Sequence, residues 1–444
     1  MHDTQLTRIV DRLELSREQM EVLCLQAAPF SKFILQRSAG GGLPPQFTYF
    51  GLETSPLSQS EAERLTQLSP HQQQDCAEFD KVPFKGGVFT YLPYDDGDTI
   101  GQQFWLVSKM LVVDHVDASA FAVTVIQTED ADKTYSYGAC KNIVDEILAA
   151  RPSGAQSQLA AGSAVDWVVD VSTEDYVGRI GEIQSRIARG ELQQAILSVG
   201  LSKSTSATPE AVFEVMRRRN SSPHIFLVRG EAITLIGASP AMHLRKNGSL
   251  LTVETDAGTR RIGETEEETQ AIMQELLGSE KDLEEQKMIV DETIVDLRAI
   301  ADNGGVRMPV ELEVRKLGSV MHLFTVLEAG IRQDLNPIQA VLSCFPPSAV
   351  TGAPRQAAMR VIKDVERQAR GPYGGVVGLI GFDGSVDTAI ILRSAWIDGD
   401  QITMRCGGGI THASNATDEY NECMNKARSM IECVKEAEAL QEQR

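Results

Sequence analysis

The stretch GGVVGLIGFDGSVDTAIILRSAWIDGDQITMRCGGGI, residues 374–410, reads as three consecutive strands. Apolar runs occupy 374–382, 388–397 and 401–406; Asp383-Gly384 supplies a hairpin turn between the first two, and Gly399 turns the second into the third. Residues 418–440 then read as a final helix. Upstream, strand-like runs at 224–228, 232–236, 241–245 and 250–255 form an antiparallel meander, with Asn247-Gly248 as the turn between the last two. A helix at 176–189 stops at Gly190 and delivers the chain into a strand at 195–201. A second helix at 279–300 opens on Ser279, three residues before Asp282, as a capping pair. Strands in runs, then helices, rather than regular βαβ units, indicate an α+β sheet sandwich with helices outside.

Residues 151–164, RPSGAQSQLAAGSA, have no periodic apolar face and are expected to form a linker. They separate an N-terminal α/β subregion, 1–155, expected to contribute to the same sandwich, from a region, 165–444, that carries the chemistry. In the first part, short apolar segments at 33–35, 47–50 and 87–91 are set off by Gly, Pro and Asp, and 141–150 is amphipathic.

Asp and Glu number 62 against 42 Lys and Arg, a net charge of −20. That balance argues against nucleic acid as a partner, and it also repels a small anion unless cations are gathered locally. Seven cysteines without Cys-x-x-Cys spacing suggest neither a disulfide framework nor a zinc site, and suit a reducing cytoplasm. No signal-like segment opens the chain and no run approaches a membrane span, so a cytoplasmic protein with no membrane partner is expected.

Two carboxylate couples stand at i, i+3 spacing on the expected helices, Asp282 with Glu285 and Glu419 with Glu422. Four oxygen ligands from two facing helices suit Mg²⁺, which keeps waters in its shell. The same spacing also describes an ordinary solvated face, and spacing alone does not choose. Glycine corners at Gly258-Thr259, at Gly352 and at Gly407-Gly408-Gly409 either offer bare amides to an anion or simply turn the chain. Arg393 interrupts the apolar run 388–397, where an unpaired guanidinium is costly to bury, and so calls for an anion opposite it. Lys426 lies four residues after Glu422, near the acidic couple or in a surface ion pair; Tyr373 and the lone His322 are further polar candidates.

Taken in order, these pieces resemble the chorismate-utilising family that includes anthranilate synthase component I, aminodeoxychorismate synthase component I, isochorismate synthase and salicylate synthase. The resemblance rests on GELQQAILS at 190–198, GASP at 237–240, AGTR at 257–260, the segment from Glu280-Lys281 through Asp291, and LGSVMH at 317–322. It continues with 345–354, RGPYGG at 370–375, FDG at 382–384, 387–393, GGGI at 407–410 and EYNE at 419–422. It implies two stacked, largely antiparallel β-sheets flanked by helices.

The resemblance further implies Glu285 and Glu422 as direct Mg²⁺ ligands, with Asp282 and Glu419 close behind or acting through water. Arg393 and Tyr373 would hold the enolpyruvyl carboxylate of chorismate, while Gly258, Thr259 and the amides of Gly407, Gly408 and Gly409 line the pocket and Lys426 and His322 flank it. Gln194 stands where isochorismate and salicylate synthases carry a water-activating lysine, and Ala257 where aminodeoxychorismate synthases often carry a nucleophilic one. Ala241 replaces the glutamate thought to protonate the leaving hydroxyl in the family; Asp256, at the pocket edge, either stands in for that acid or marks altered chemistry. The expected activity is ammonia-dependent amination of chorismate at carbon 2, of the anthranilate or 2-amino-2-deoxyisochorismate synthase component I type, with ammonia from a separate glutamine amidotransferase subunit. The alternatives are a divergent salicylate, isochorismate or aminodeoxychorismate synthase, and a chorismate-binding homologue that has lost catalysis with Ala241.

Overall fold

Alternation along the strands explains the layers. In His224–Arg229, Ile225 and Leu227 enter one core while Phe226 and Val228 enter another. In Val376–Gly381, Val377 and Leu379 join Phe226 and Val228, whereas Val376 and Ile380 point into a third core. The two strands therefore belong to two layers that share an inner core and bury their outer faces under helices. The inner core is aromatic, with Phe33 stacked on Phe89 at 4.2 Å. Helices Thr173–Ala188, Pro209–Arg219, Arg355–Glu366 and Ala416–Glu442 cover one layer, and Glu280–Ile300 with Pro337–Ser343 covers the other.

The computed structural model describes residues 6–38, 43–68, 71–72, 78–95, 104–127, 138–150, 166–317 and 320–442, and the expected linker at 151–164 lies outside them. Among the described residues, twenty strands are hydrogen-bonded into one continuous sheet. Its pairings are antiparallel, apart from the short one between Leu6–Leu13 and His71–Gln72. N-terminal strands pair directly with later ones: Phe33–Ser38 with His224–Arg229, and Gly87–Leu92 with Val376–Gly381. No helix among the described residues is long and apolar enough to cross a membrane. Cys24, Cys344, Cys406, Cys423 and Cys433 are free and buried.

The apolar run 388–397 is not one strand. It divides into Val386–Ile390 and Ser394–Asp398, and Arg393 between them has φ of 45°, a left-handed conformation that ends an extended run. The neighbouring chain breaks at the same level, between Thr234–Ser239 and Met242–Asn247, around Pro240-Ala241. On one side of the break Val386–Ile390 pairs with Met242–Asn247; on the other, Ser394–Asp398 pairs with Thr234–Ser239. The two-stranded ribbon thus bends from one layer into the other. Hydrogen bonds from Ile390 N to Ala241 O (3.1 Å) and from Ala238 N to Arg393 O (3.2 Å) keep it paired through the bend. Two residues singled out for chemistry, Ala241 and Arg393, therefore share a sheet corner.

His224 and His243 are buried, and burial pushes the pKa of each down to about 4. His243 is further held by Nε2 donating to Cys344 O at 3.1 Å. Between pH 6.5 and 4 the unfolded chain takes up protons that these folded histidines refuse, so each contributes stability at neutral pH that is lost on acidification. The stability advantage of the wild type over His243→Gln should accordingly shrink between pH 7 and 4.5, by up to about 1.4 kcal/mol per pH unit. Urea melts at the two pH values check this, and an advantage of equal size at both would contradict it.

Candidate active site

Gly407, Gly408 and Gly409 do not form a corner. They end the strand Gln401–Ile410 and pair with Ser198, Leu197 and Ile196. A Cβ on Gly407 would lie 2.7 Å from the Tyr373 hydroxyl and 2.8 Å from Leu197 O; one on Gly408 would lie 3.0 Å from the Glu419 carboxylate. One on Gly409 would lie 2.4 Å from the Gln194 amide nitrogen and 3.2 Å from Glu285 Oε1. Four side chains from four segments can close on this backbone because it carries none of its own. The amides of Ser198 and Ile196 donate away from it, to Glu366 (2.7 Å) and to Thr351 O (2.9 Å). Antiparallel alternation then gives Gly408 the hydrogen-bonded partnership with Leu197 and turns the N–H groups of Gly407 and Gly409 toward the opposite edge. On that edge Lys426 Nζ donates to Gly407 O at 2.9 Å.

The two acidic helices reach this strand from different directions. Helix Glu280–Ile300 begins with Ser279 accepting from the Asp282 amide, as its sequence suggests, and presents Asp282 and Glu285; helix Ala416–Glu442 presents Glu419 and Glu422. Asp282 is buried and gripped by Arg260 at 2.7 Å, which also holds Glu275. Glu419, only 3 % exposed, accepts from Ser414 Oγ at 2.9 Å and faces Lys281 Nζ at 3.5 Å. Glu422 pairs with Lys426 at 2.7 Å, and half-buried Glu285 accepts from Gln194 Nε2 at 3.4 Å. Burial raises the Glu285 pKa, Glu422 and Asp282 push it the same way, and Lys426 and Lys281 oppose them. Among the described residues no three His, Cys, Asp or Glu side chains already converge tightly on one point; each carboxylate is turned to a cation or an amide instead. The donor set is nevertheless all oxygen, crowded and negatively charged, which fits a hard divalent cation such as Mg²⁺.

Beside Asp282, which Arg260 holds, lies a polar group on Leu250–Arg261 and Val320–Ile331. The register sets Asp256 opposite Phe324 and Thr259 opposite His322 across a bulge between Ala257 and Thr259, so Asp256, Thr259 and His322 share one face. Gly258 forms the bulge with φ of 62°, and a Cβ there would meet Leu276 at 2.8 Å and Asp282 at 3.0 Å. Thr259 Oγ1 lies 3.2 Å from His322 Nδ1, and Ala257 is buried at the bulge. Burial raises the Asp256 pKa, while His322, Arg393 and Lys426 draw it back down. Burial lowers the His322 pKa, against the pull of Asp256.

Arg393 is not the buried guanidinium expected from an apolar strand. The corner puts it on an exposed turn, within electrostatic reach of Asp256, where surrounding protein lowers its pKa although solvent reaches it. Lys426 is likewise hemmed in, yet 45 % of its side chain is accessible. Both cations act on Asp256, and together they supply a local positive field that a net charge of −20 denies. Beside Ala241 a small cavity of about 40 Å³ is bordered by His243, Thr255, Asp256, Thr293 and Asp296, enough for about one or two waters.

Two supporting residues escaped the sequence reading. Arg370 is fully buried and donates to Glu366, to Val350 O (2.7 Å) and to Ile196 O (2.5 Å); its guanidinium lies over the rings of Tyr94 and Tyr373 at 4.5 and 5.8 Å. It fixes Tyr373, itself 3 % exposed, against Gly407. The available signal was the i, i+4 spacing of Glu366 and Arg370 just before GPYGG. Lys281, the ion-pair partner of Glu419, carried no signal beyond a charge between two acids.

A model of the chorismate binding enzyme family matches residues 29–432. The chain belongs to that family. Among curated relatives of this chorismate binding enzyme, anthranilate synthase component 1 of Thermus thermophilus is 35% identical over 280 residues, 63% of this chain and 60% of its own length. The Streptomyces coelicolor protein of the same name is 28% identical over 432 residues, 92% of this chain and 84% of its own. Solved structures of anthranilate synthase component I from Streptococcus pneumoniae (TM-score 0.69, 22% identity, 97% of this chain and 93% of that one) and of the menaquinone-specific isochorismate synthase of Escherichia coli (0.76, 18%, 97% and 95%) share the fold.

If the bare strand sets the site, Gly409→Ala should cost about 1–3 kcal/mol of stability by overpacking Gln194. Gln194→Ala in the same chain should recover part of that loss. Denaturant melts of the two single variants and the double variant check this, and purely additive effects would contradict it.

Proposed function

We propose that this chorismate binding enzyme aminates chorismate at carbon 2, as an anthranilate or 2-amino-2-deoxyisochorismate synthase component I, with Mg²⁺ as cofactor. Ammonia is supplied by a separate glutamine amidotransferase subunit, in the cytoplasm. The observation that carries the reading is Gln194 hydrogen-bonded to Glu285 at Gly409. An amide there positions a carboxylate but takes no proton from water, so water is poorly activated as the nucleophile. The 28–35% identity to proteins named anthranilate synthase component 1 supports the same branch.

In this reading Glu285 and Glu422 hold Mg²⁺, with Asp282 and Glu419 behind them or acting through water. The ion supplies charge neutralisation for the ring carboxylate of chorismate. Arg393 and Tyr373 bind the enolpyruvyl carboxylate, and Gly258, Thr259 and the Gly407, Gly408 and Gly409 amides line the pocket. Lys426 and His322 flank it. Ala257 leaves carbon 2 open to ammonia. As the C–N bond forms at carbon 2, both double bonds of the ring diene shift by one position toward carbon 4, the carbon-4 C–O bond breaks and the hydroxyl leaves as water. Asp256 supplies the proton to that hydroxyl. Its carboxyl, disposed by burial to hold a proton, replaces the acid missing at Ala241.

Incubation with chorismate, Mg²⁺ and ammonium at raised pH, following chorismate loss and product fluorescence, tests this. Consumption that requires both ammonium and Mg²⁺, with the Mg²⁺-supported rate lost in Glu285→Ala and turnover raised in Ala241→Glu, is the expected result. Consumption with water alone assigns the chain to the hydroxylating branch, and binding without turnover makes it a silent homologue; either contradicts the proposal.

A further inference from the structure

The carboxylates of the two acidic helices are held by cations of unequal grip. Arg260 holds Asp282 at 2.7 Å while also bonding Glu275 at 2.7 Å, and Lys426 holds Glu422 at 2.7 Å while donating to Gly407 O at 2.9 Å. Lys281 differs: its Nζ stands 3.5 Å from Glu419 Oε1, with 56 % of its side chain in solvent, and it makes this contact across the gap from one acidic helix to the other. Glu419 is buried and keeps Ser414 Oγ at 2.9 Å, so it retains a hydrogen bond if Lys281 leaves.

We infer that Lys281 is a displaceable counter-ion of the acidic cluster, occupying the field of Glu419, Glu285 and Glu422 until a divalent cation takes its place, and that it thereby limits the affinity for that ion. The inference rests on the reading that these carboxylates hold Mg²⁺. Charge supports it: Arg260 is shared between Asp282 and Glu275 and Lys426 is taken by Glu422, so the ion pair from Lys281 is what offsets the negative charge of Glu419 when a divalent cation is away. Geometry supports it too, because a long, solvent-reached pair is the contact most easily exchanged.

Titration calorimetry of Mg²⁺ into the full-length, metal-stripped protein, without chorismate, tests the inference. Lys281→Met should bind Mg²⁺ roughly 3- to 30-fold more tightly than the wild type, the scale expected from removing one nearby positive charge at intermediate dielectric. Lys281→Arg should stay within about twofold of the wild type, and Glu285→Gln should bind at least about tenfold more weakly. Melting curves provide a second readout: without metal Lys281→Met should melt lower than the wild type, and Mg²⁺ should raise its melting temperature by more. If the wild type binds and Glu285→Gln does not, but Lys281→Met binds equally or less well, the counter-ion role is overturned and the metal site stands. If wild type and Glu285→Gln bind alike, or neither binds, the metal reading falls and the inference with it.

Discussion

A strand end without side chains is the constraint on which the site depends. Gly407, Gly408 and Gly409 let Tyr373, Glu419, Gln194 and Glu285 come within a methyl group's reach of one backbone. The partner strand Gln194–Ser204 is anchored from behind by the buried Glu366–Arg370 pair, which takes Ser198 N and reaches Ile196 O. Removing one member of such a pair leaves a buried charge uncompensated, at a cost of about 3–5 kcal/mol. The same pair orients Tyr373, so the rigidity of the sheet and the position of a pocket side chain have one origin.

The second device is the corner at Ala241 and Arg393. Bending a two-stranded ribbon from one layer into the other breaks both strands at one level and puts loop-like backbone in the middle of the sheet. There a guanidinium is solvent-reached without leaving the fold. Arg393, Lys426 and His322 then act together on Asp256, and Lys426 also holds Glu422 at 2.7 Å, so cations and carboxylates interleave. A strongly acidic protein thus gathers cations locally, directly beside the carboxylates of its two acidic helices.

Much of this was legible in the residues. Asn247-Gly248 and Asp383-Gly384 mark turns whose glycines adopt φ of 57° and 74°, and Ser279 caps the helix that carries Asp282 and Glu285. Local chemistry decides such features, so local sequence reveals them. The corner was hidden because an unbroken apolar run reads alike whether it forms one long strand or two strands in different layers, and no residue type announced the positive φ of Arg393. The triple glycine reads as a turn because glycine is rare in strands; its reason for being there lies in side chains brought from positions 194, 285, 373 and 419. Ion pairs such as Lys281–Glu419, 138 residues apart, leave no local trace at all.

The central claim, that the two acidic helices form a divalent cation site over the glycine strand, is tested most directly by the anomalous difference map of a crystal grown with Mn²⁺ in place of Mg²⁺ and with chorismate. A peak in contact with Glu285 and Glu422 is the predicted result. A map without such a peak at full Mn²⁺ occupancy elsewhere, or with the ion held by other residues, would contradict the account.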